Sequence, residues 1–327
     1  MVSREVIVVG AGIVGSSIAY QLAAAGAGVT LIDAALPGSG ATKHSFAWIG
    51  RSPQDSSPEE KLRSQGRDHW HRLAQEVPEL EVHWTGALVW GEYFSHDGAP
   101  QTDRAEVIEP NLVMPPNRSE QRADDGWLDP VRATESLVRA AQRYGASTRF
   151  GSPVSRLARS EEGTVIGVEL GTEVLPASTV VVAAGTGSTA LCATANVDLP
   201  MVSSPSVMVQ LHAPPGIVQG IIANDHFEAR QSTDGTTLMP VEYNGETSTE
   251  DLGHTGEEAL RVFQKSFRGS SEASLKSVEI GWRPMPANGE STVGYSSVPG
   301  LYIAVAHPGI MLGSVIGHTA AEEILRA

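Results

Sequence analysis

Residues 6–33, VIVVGAGIVGSSIAYQLAAAGAGVTLID, constrain this chain more than any other stretch. Val6–Val9 is a short unbroken apolar run, the pattern of a parallel strand covered on both faces. Gly10, Gly12 and Gly15 follow as G-x-G-x-x-G. In such a turn the first glycine allows a tight bend and the second lets backbone approach a pyrophosphate. The third lets the helix lie close to the strand. The helix that follows, with Ile18, Leu22 and Ala25 at helical spacing, aims its N-terminal N–H groups and positive dipole end at the same pyrophosphate. Gly26 and Gly28 end it, Val29–Ile32 forms a second strand, and Asp33 closes the unit where an adenosine ribose would need an acceptor. A βαβ unit for a dinucleotide is the reading. Which dinucleotide is not decided by this segment.

The 327 residues are enough for two moderate cores, and one dinucleotide unit near the start predicts two domains interleaved in sequence. A formal net charge of −15, with dispersed Lys and Arg, excludes the basic field that nucleic acid or an anionic membrane requires. The single cysteine, Cys192, rules out internal disulfides and cysteine-based metal clusters, and its apolar setting predicts a buried packing thiol. The first strand begins about five residues in, which leaves no room for a signal peptide. The apolar stretch Leu301–Gly317 is too short to span a bilayer and is broken by His307-Pro308. A cytoplasmic location is expected.

Along the chain, residues 37–57 are rich in Gly, Ser, Pro and Thr and read as a long functional loop. Ser57-Pro58-Glu59-Glu60 starts a helix bearing Leu62, Trp70 and Leu73 that runs to about Val77. His83–Phe94 has strand composition, and residues 95–125 are expected to be irregular. Asp129-Pro130 opens a second helix that Gly145 ends. Short strands are predicted at 147–151, 153–158, 164–170 and 179–183, the last running into AAGTGS. Residues 201–243 read as antiparallel strands with a turn at Ser232-Thr233-Asp234-Gly235. A helix over 257–267 carries Leu260, Phe263 and Phe267 on one face; Leu301–Val305 is a buried strand leading into a helix from Gly309 to Leu325. The pattern predicts an α/β (α+β overall) fold, a Rossmann-like unit interleaved with a smaller antiparallel-sheet substrate domain. The expected boundaries are 1–80, 126–196 and 277–327 for the first and 81–125 and 197–276 for the second.

With these segments in place, the chain resembles the D-amino-acid oxidase/glycine oxidase/sarcosine oxidase family of FAD-dependent oxidoreductases. The match is spread over PGSGATKHSFAWIG (37–50), the Trp70 helix, VIEPNL (107–112), DGWLDPVRATESLVRAAQRYGA (125–146) and STVVVAAGTGS (178–188). It ends in GWRPMPANGESTVGYSSVPGLYIAVAHPGIMLGSVIGHTAAEEIL (281–325), similar to the family's C-terminal signature. About two thirds of the chain is covered, and residues 190–275 are not. The resemblance implies FAD rather than NAD, and a C–N bond of an amino acid or secondary amine oxidised by hydride transfer to the flavin. Reoxidation by oxygen or by another acceptor would follow.

The resemblance also assigns residues. Gly10, Gly12, Gly15 and Asp33 match the family's site for the adenosine-diphosphate half of FAD. Thr42, Lys43, His44 and Ser45 match the loop passing the pyrophosphate and flavin edge. Val154 matches a backbone contact to adenine, and Ala184 and Gly185 match a close-approach turn. Gly309, Ile310 and Met311 open the last helix, whose N–H groups can stabilise negative charge on the flavin's pyrimidine ring. His44 stands where some relatives bond covalently to flavin, but its neighbours Lys43 and Ser45-Phe46-Ala47 differ from theirs, so a non-covalent flavin is expected and the link through His44 is the alternative. Arg283 is the candidate to grip a substrate carboxylate, or equally a structural tie. His307 is a candidate to line the flavin face, Tyr243 and Tyr295 read as packing aromatics that could touch substrate, and Lys265 reads as a solvated charge.

Two departures put an ordinary small D-amino acid in doubt. Where the family usually places a carboxylate-binding tyrosine, this chain has His226-Phe227-Glu228-Ala229, and Phe227 lacks the hydroxyl. The chain is also short for the family in its substrate half. A larger, less polar or secondary amine would suit such a wall. The competing readings are a dehydrogenase passing electrons to another acceptor, a flavin hydroxylase, whose Gly-Asp is missing near Ala304–His307, an NAD-dependent dehydrogenase, and an FAD-binding protein without amine-oxidising activity.

Overall fold

The strand Glu5–Val9 is hydrogen-bonded on both sides, parallel to Gly28–Ile32 on one edge and to Thr179–Val182 on the other. Its side chains alternate between two cores, as the two faces of a central strand must. Val6 and Val8 pack beneath the helices Ile13–Ala24, Pro130–Arg143 and Gly309–Arg326. Ile7 and Val9 pack on the opposite face, with Val180, Val182 and the buried Cys192. The computed structural model describes residues 5–50, 58–94 and 101–327. Its first sheet has six strands, in the order 292–295, 301–305, 179–182, 5–9, 28–32 and 147–149. All neighbours are parallel except the hairpin of Thr292–Tyr295 with Leu301–Val305. A three-stranded antiparallel sheet over 156–176 covers one face.

The second large sheet has eight strands, running 274–286, 201–212, 236–242, 228–231, 221–223, 87–89, 119–122 and 101–102. Its alternation decides what the next sections describe. Val207, Val209 and Leu211, with Met239 and Val241, face the helix Thr249–Ser266 and its Ala259 and Phe263. Met208, Leu238, Ile221, Ala223, Ala87 and Val89 face the other way, against Phe46 and Trp127. Directly paired residues share a face, so Ser204 and Arg283, Ser206 and Gly281, and Ala223 and Glu228 belong to this second side.

Several expected elements take a different form. The 83–94 stretch is a strand only at Ala87–Val89, flanked by an isolated bridge from His83 to Trp127 and a 3-10 turn at Gly91–Tyr93, because Gly86 and Gly91 both take positive φ and bend the chain. Of the stretch 95–125, residues 95–100 lie outside the described residues, and the rest is only partly irregular: it supplies two strands and the short helix Ala105–Ile108, since its backbone completes the sheet edge. The helix expected at 257–267 begins at Thr249, where Ser248 and Asp251 form a reciprocal capping box. The 13-residue strand Ser274–Pro286 was not expected at all and carries the sheet past residue 277. The loop read at 37–57 holds a 3-10 turn, Ala41–His44, and a two-residue strand, Trp48–Ile49; its end, and the cap read at Ser57, lie outside the described residues. No described helix is long and apolar enough to cross a membrane.

Candidate functional site

The two sheets meet around one cavity of about 1590 Å³, well beyond the volume an ordinary small ligand occupies. One wall is the Gly-rich turn. Gly10 has φ +107, and a Cβ there would sit 2.3 Å from the carbonyl oxygen of Ala183, so the turn can lie on the neighbouring strand only as glycine. At Gly15 a Cβ would meet the Gly10 oxygen at 1.9 Å, which is what close helix–strand contact demands. Gly12 is different: the nearest atom to its would-be Cβ is Thr42 Oγ1 at 3.2 Å, and the residue lines the cavity. Asp33 is held by the N–H of Ala11 (2.6 Å) and the N–H of Ala35 (2.8 Å), which fix its carboxylate at the cavity edge.

Two helices point their N-termini into this space, Ile13–Ala24 and Gly309–Arg326, and neither has a side-chain cap. Two other long helices are capped, by Asp129 onto Val131 and Arg132 and by Ser248 onto Asp251. Uncapped first-turn N–H groups facing a cavity are built to meet a negatively charged ligand. The second helix is placed by Trp70, fully buried, whose Nε1–H donates to the Ile310 carbonyl at 2.9 Å, and by Ser314 donating to the Gly66 carbonyl at 3.1 Å.

Between the walls runs the 41–48 loop. Ile13 N–H donates to Thr42 Oγ1 at 3.2 Å. Lys43 Nζ lies 3.0 Å and His44 Nδ1 3.5 Å from Glu279, and burial, with Lys43 alongside, lowers the His44 pKa. Ala47 adopts φ 58, unusual for a residue with a Cβ. Arg230, 1% exposed, holds this segment: its Nε–H donates to the Phe46 carbonyl and its Nη2 to the Leu128 carbonyl. Its guanidinium lies over the Trp127 ring at 4.6 Å and the Phe46 ring at 5.6 Å.

The far wall is the polar side of the eight-stranded sheet. Arg283 donates from Nε to the Ser204 carbonyl (3.1 Å) and from Nη2 to Ser204 Oγ (2.8 Å) and the Pro205 carbonyl (3.3 Å). These bonds fix its plane at the cavity wall. Glu228 lines the same space and accepts from the Tyr93 hydroxyl at 2.5 Å. Burial raises its pKa, opposed by Tyr93 and by the charge of Arg283.

His307 lies between the walls, and burial first, then the positive charges of Arg283 and Arg63, push its pKa down to about 4. The unfolded chain takes up this proton near pH 6.5, whereas the folded chain refuses it until about pH 4, so stability falls on acidification across that window. For His307→Gln, urea unfolding at pH 4.5 and pH 7.5 is expected to show a smaller difference than for the unsubstituted protein. The gap should be of the order of 2–3 kcal/mol. Equal pH slopes would mean that His307 is not desolvated in the folded state.

Of the residues predicted from sequence, Gly10, Gly12 and Asp33 line the cavity, and so do Thr42, His44 and Ser45 of the loop. Val154, Ala184 and Gly185 line it, as do Gly309, Ile310, Arg283 and His307. Gly15 sits behind the wall, Lys43 turns out to Glu279, and the Met311 side chain packs in the core. Tyr243 is at the cavity; Tyr295 is away from it, packed edge-on against Tyr302 with ring centres 5.1 Å apart. Phe227 packs on Phe267, so the polar residue that its strand presents to the cavity is Glu228. Sequence reasoning passed over Glu228, Tyr93, Asn224 and Arg230. The signal was present as charge at alternate positions, 228 and 230, of a strand whose Ala229 is buried in the opposite core.

A family model described as DAO, FAD dependent oxidoreductase, matches residues 5–323. A 4-methylaminobutanoate oxidase (formaldehyde-forming) of Paenarthrobacter nicotinovorans is 28% identical over 232 residues, which is 62% of this chain and 27% of that protein. A D-amino acid dehydrogenase of Cereibacter sphaeroides is 29% identical over 184 residues, 55% of this chain and 42% of that protein. The matches thus span less than half the length of these curated relatives. In fold, the chain superposes on the crystal structure of glycine oxidase from Bacillus cereus with a TM-score of 0.85 at 21% identity, covering 99% of this chain and 95% of that one.

Proposed function

The chain belongs to the DAO family of FAD-dependent oxidoreductases, and within it we propose that it oxidises a C–N bond of an amine or amino acid, with oxygen as the acceptor that restores the flavin. The observation that carries this reading is the continuity of the cavity. It runs from a Gly-rich turn and two uncapped helix N-termini to a chamber lined by Arg283, Glu228 and His307. The residues fit FAD. Gly10, Gly12 and the first turn of Ile13–Ala24 would hold the pyrophosphate, and Asp33 the adenosine ribose. The first turn of Gly309–Arg326 would face the flavin ring. FAD supplies a two-electron acceptor for hydride from the carbon next to nitrogen.

The chain's own residues then bind, orient and shield. Arg283, held planar by Ser204 and Pro205, presents its remaining donors to a carboxylate and so sets which carbon faces the flavin. His307, neutral above about pH 4, can accept a hydrogen bond from the substrate nitrogen and orient it, while the ammonium proton is lost to solvent before the nitrogen lone pair can assist hydride departure. Phe46 and Met208 give the cavity an apolar floor that limits water beside the reacting carbon.

The test is anaerobic. Flavin absorbance of the purified protein is followed against D-, L- and N-methyl amino acids and simple secondary amines, and bleaching by one class is the expected result. Recovery within seconds of admitting air supports oxygen as acceptor; slow recovery supports the dehydrogenase reading, which the match to the D-amino acid dehydrogenase favours. A flavin that stays oxidised with every amine overturns C–N oxidation.

A further inference from the structure

We propose that Glu228 is a specificity-determining carboxylate that receives a second cationic group, so that the substrates are basic amines or amino acids bearing an ammonium or guanidinium beyond the one being oxidised. The inference rests on the C–N oxidation reading and extends it. Among the described residues only one oxygen of Glu228, Oε1, has a hydrogen-bond partner, Tyr93. Oε2 is left for a ligand. The side chain has space in front of it, because its directly paired neighbour on the same face is Ala223. Arg283 shares the chamber and its charge is felt at Glu228, yet no described carboxylate lies within ion-pair distance of Arg283. Two opposite charges facing one cavity without neutralising each other call for a ligand that carries both signs.

A second, independent feature lies one turn away. Asn224 is 4% exposed and lines the cavity. Its Oδ1 is spent on the N–H groups of His226 (2.8 Å) and Phe227 (3.3 Å), while its Nδ2 has no partner. A buried amide donor left unmade at the cavity is expensive unless a ligand acceptor meets it. The wider field agrees in sign. Glu92 and Asp225 act with Glu228 on the Tyr93 hydroxyl, and among the described residues Arg283 is the one Lys or Arg that lines the cavity. Such a chamber attracts a net cation and repels a second carboxylate.

The experiment uses the FAD-loaded protein and two matched pairs. In the first, calorimetry compares 1,5-diaminopentane with pentylamine; the diamine is expected to bind about 100-fold more tightly, and in E228Q, which keeps an oxygen for Tyr93, the two should come within about threefold. In the second, anaerobic bleaching compares lysine with norleucine in both enantiomers and as N-methyl forms, and the same collapse of preference is expected in E228Q. Flavin content and melting temperature of E228Q report that the fold is intact, and E228D, with the charge kept but withdrawn, should restore part of the preference. Equal binding or bleaching by the neutral members in the unsubstituted protein overturns the role given to Glu228 and leaves C–N oxidation standing. Selective diamine binding without bleaching by any amine does the reverse.

Discussion

Gly10→Ala is expected to give a protein that holds no flavin and has lost about 3 kcal/mol or more of folding stability, whereas Gly12→Ala should melt normally and lose only flavin. The two glycines stand two residues apart in one turn, but the atoms around them differ. At Gly10 a methyl group would lie 2.3 Å from the Ala183 oxygen and 2.8 Å from the Ala184 Cα, both backbone of the neighbouring strand, at φ +107. Nothing there can swing aside, so either the central sheet opens or the chain does not fold. At Gly12, φ is −73, and the methyl group meets only the Thr42 hydroxyl before it enters the cavity. Its effect falls on whatever occupies that space. Flavin-to-protein absorbance ratio and thermal melts of both variants separate the two cases. A Gly12→Ala protein that keeps its flavin at full occupancy would show that the pyrophosphate does not lie against this turn, and the cofactor geometry proposed above would fail.

This contrast also marks what could be read without coordinates. The G-x-G-x-x-G turn, its acid at Asp33 and the Asp129 cap are local devices: a few adjacent residues determine the backbone, so a short string states the structure. The antiparallel sheet is of another kind. Ser274–Pro286 pairs along its length with Met201–His212, more than sixty residues away, and its own burial is only partial, so no clean alternation announced it. The strand at 101–102 is the sheet edge, where backbone pairing decides, and 119–122 beside it hides its polarity in a buried Glu120–Arg122 ion pair that no apolar alternation announces. The same distance hid the far wall of the site. Tyr93 and Glu228 are 135 positions apart and meet only because Ala87–Val89 lies beside Ile221–Ala223 and that strand beside Glu228–Gln231. Arg283 was legible as a cation in a motif, but its orientation depends on Ser204, which belongs to the partner strand.

Arg230→Ala is expected to cost about 3–5 kcal/mol of stability and to release the flavin, the largest effect predicted for a residue that does not line the cavity. Among the described residues no carboxylate lies within ion-pair distance of the Arg230 guanidinium. Its charge is buried against Trp127 and Phe46, and burial pushes its pKa down to about 9, which leaves it cationic at neutral pH. An isolated buried charge weakens a fold unless its hydrogen bonds accomplish something apolar side chains cannot. Here they clamp the carbonyls of Phe46 and Leu128, and Phe46 adjoins Ala47, held in the left-handed region at a cost of about 1 kcal/mol. Alanine would remove the clamp, leave two buried carbonyls without donors and open a void. Methionine fills the void and abolishes the charge, so it should recover most of the stability. It gives the Phe46 carbonyl no donor, and the 45–48 loop should relax from the flavin edge. Arg230→Met is therefore expected to melt within a few degrees of the unsubstituted protein yet bind flavin at least tenfold more weakly, a separation that melts and flavin titration resolve. If the methionine variant binds flavin as tightly as the unsubstituted protein, the strained loop is held by its packing alone and the buried guanidinium has no part in positioning it.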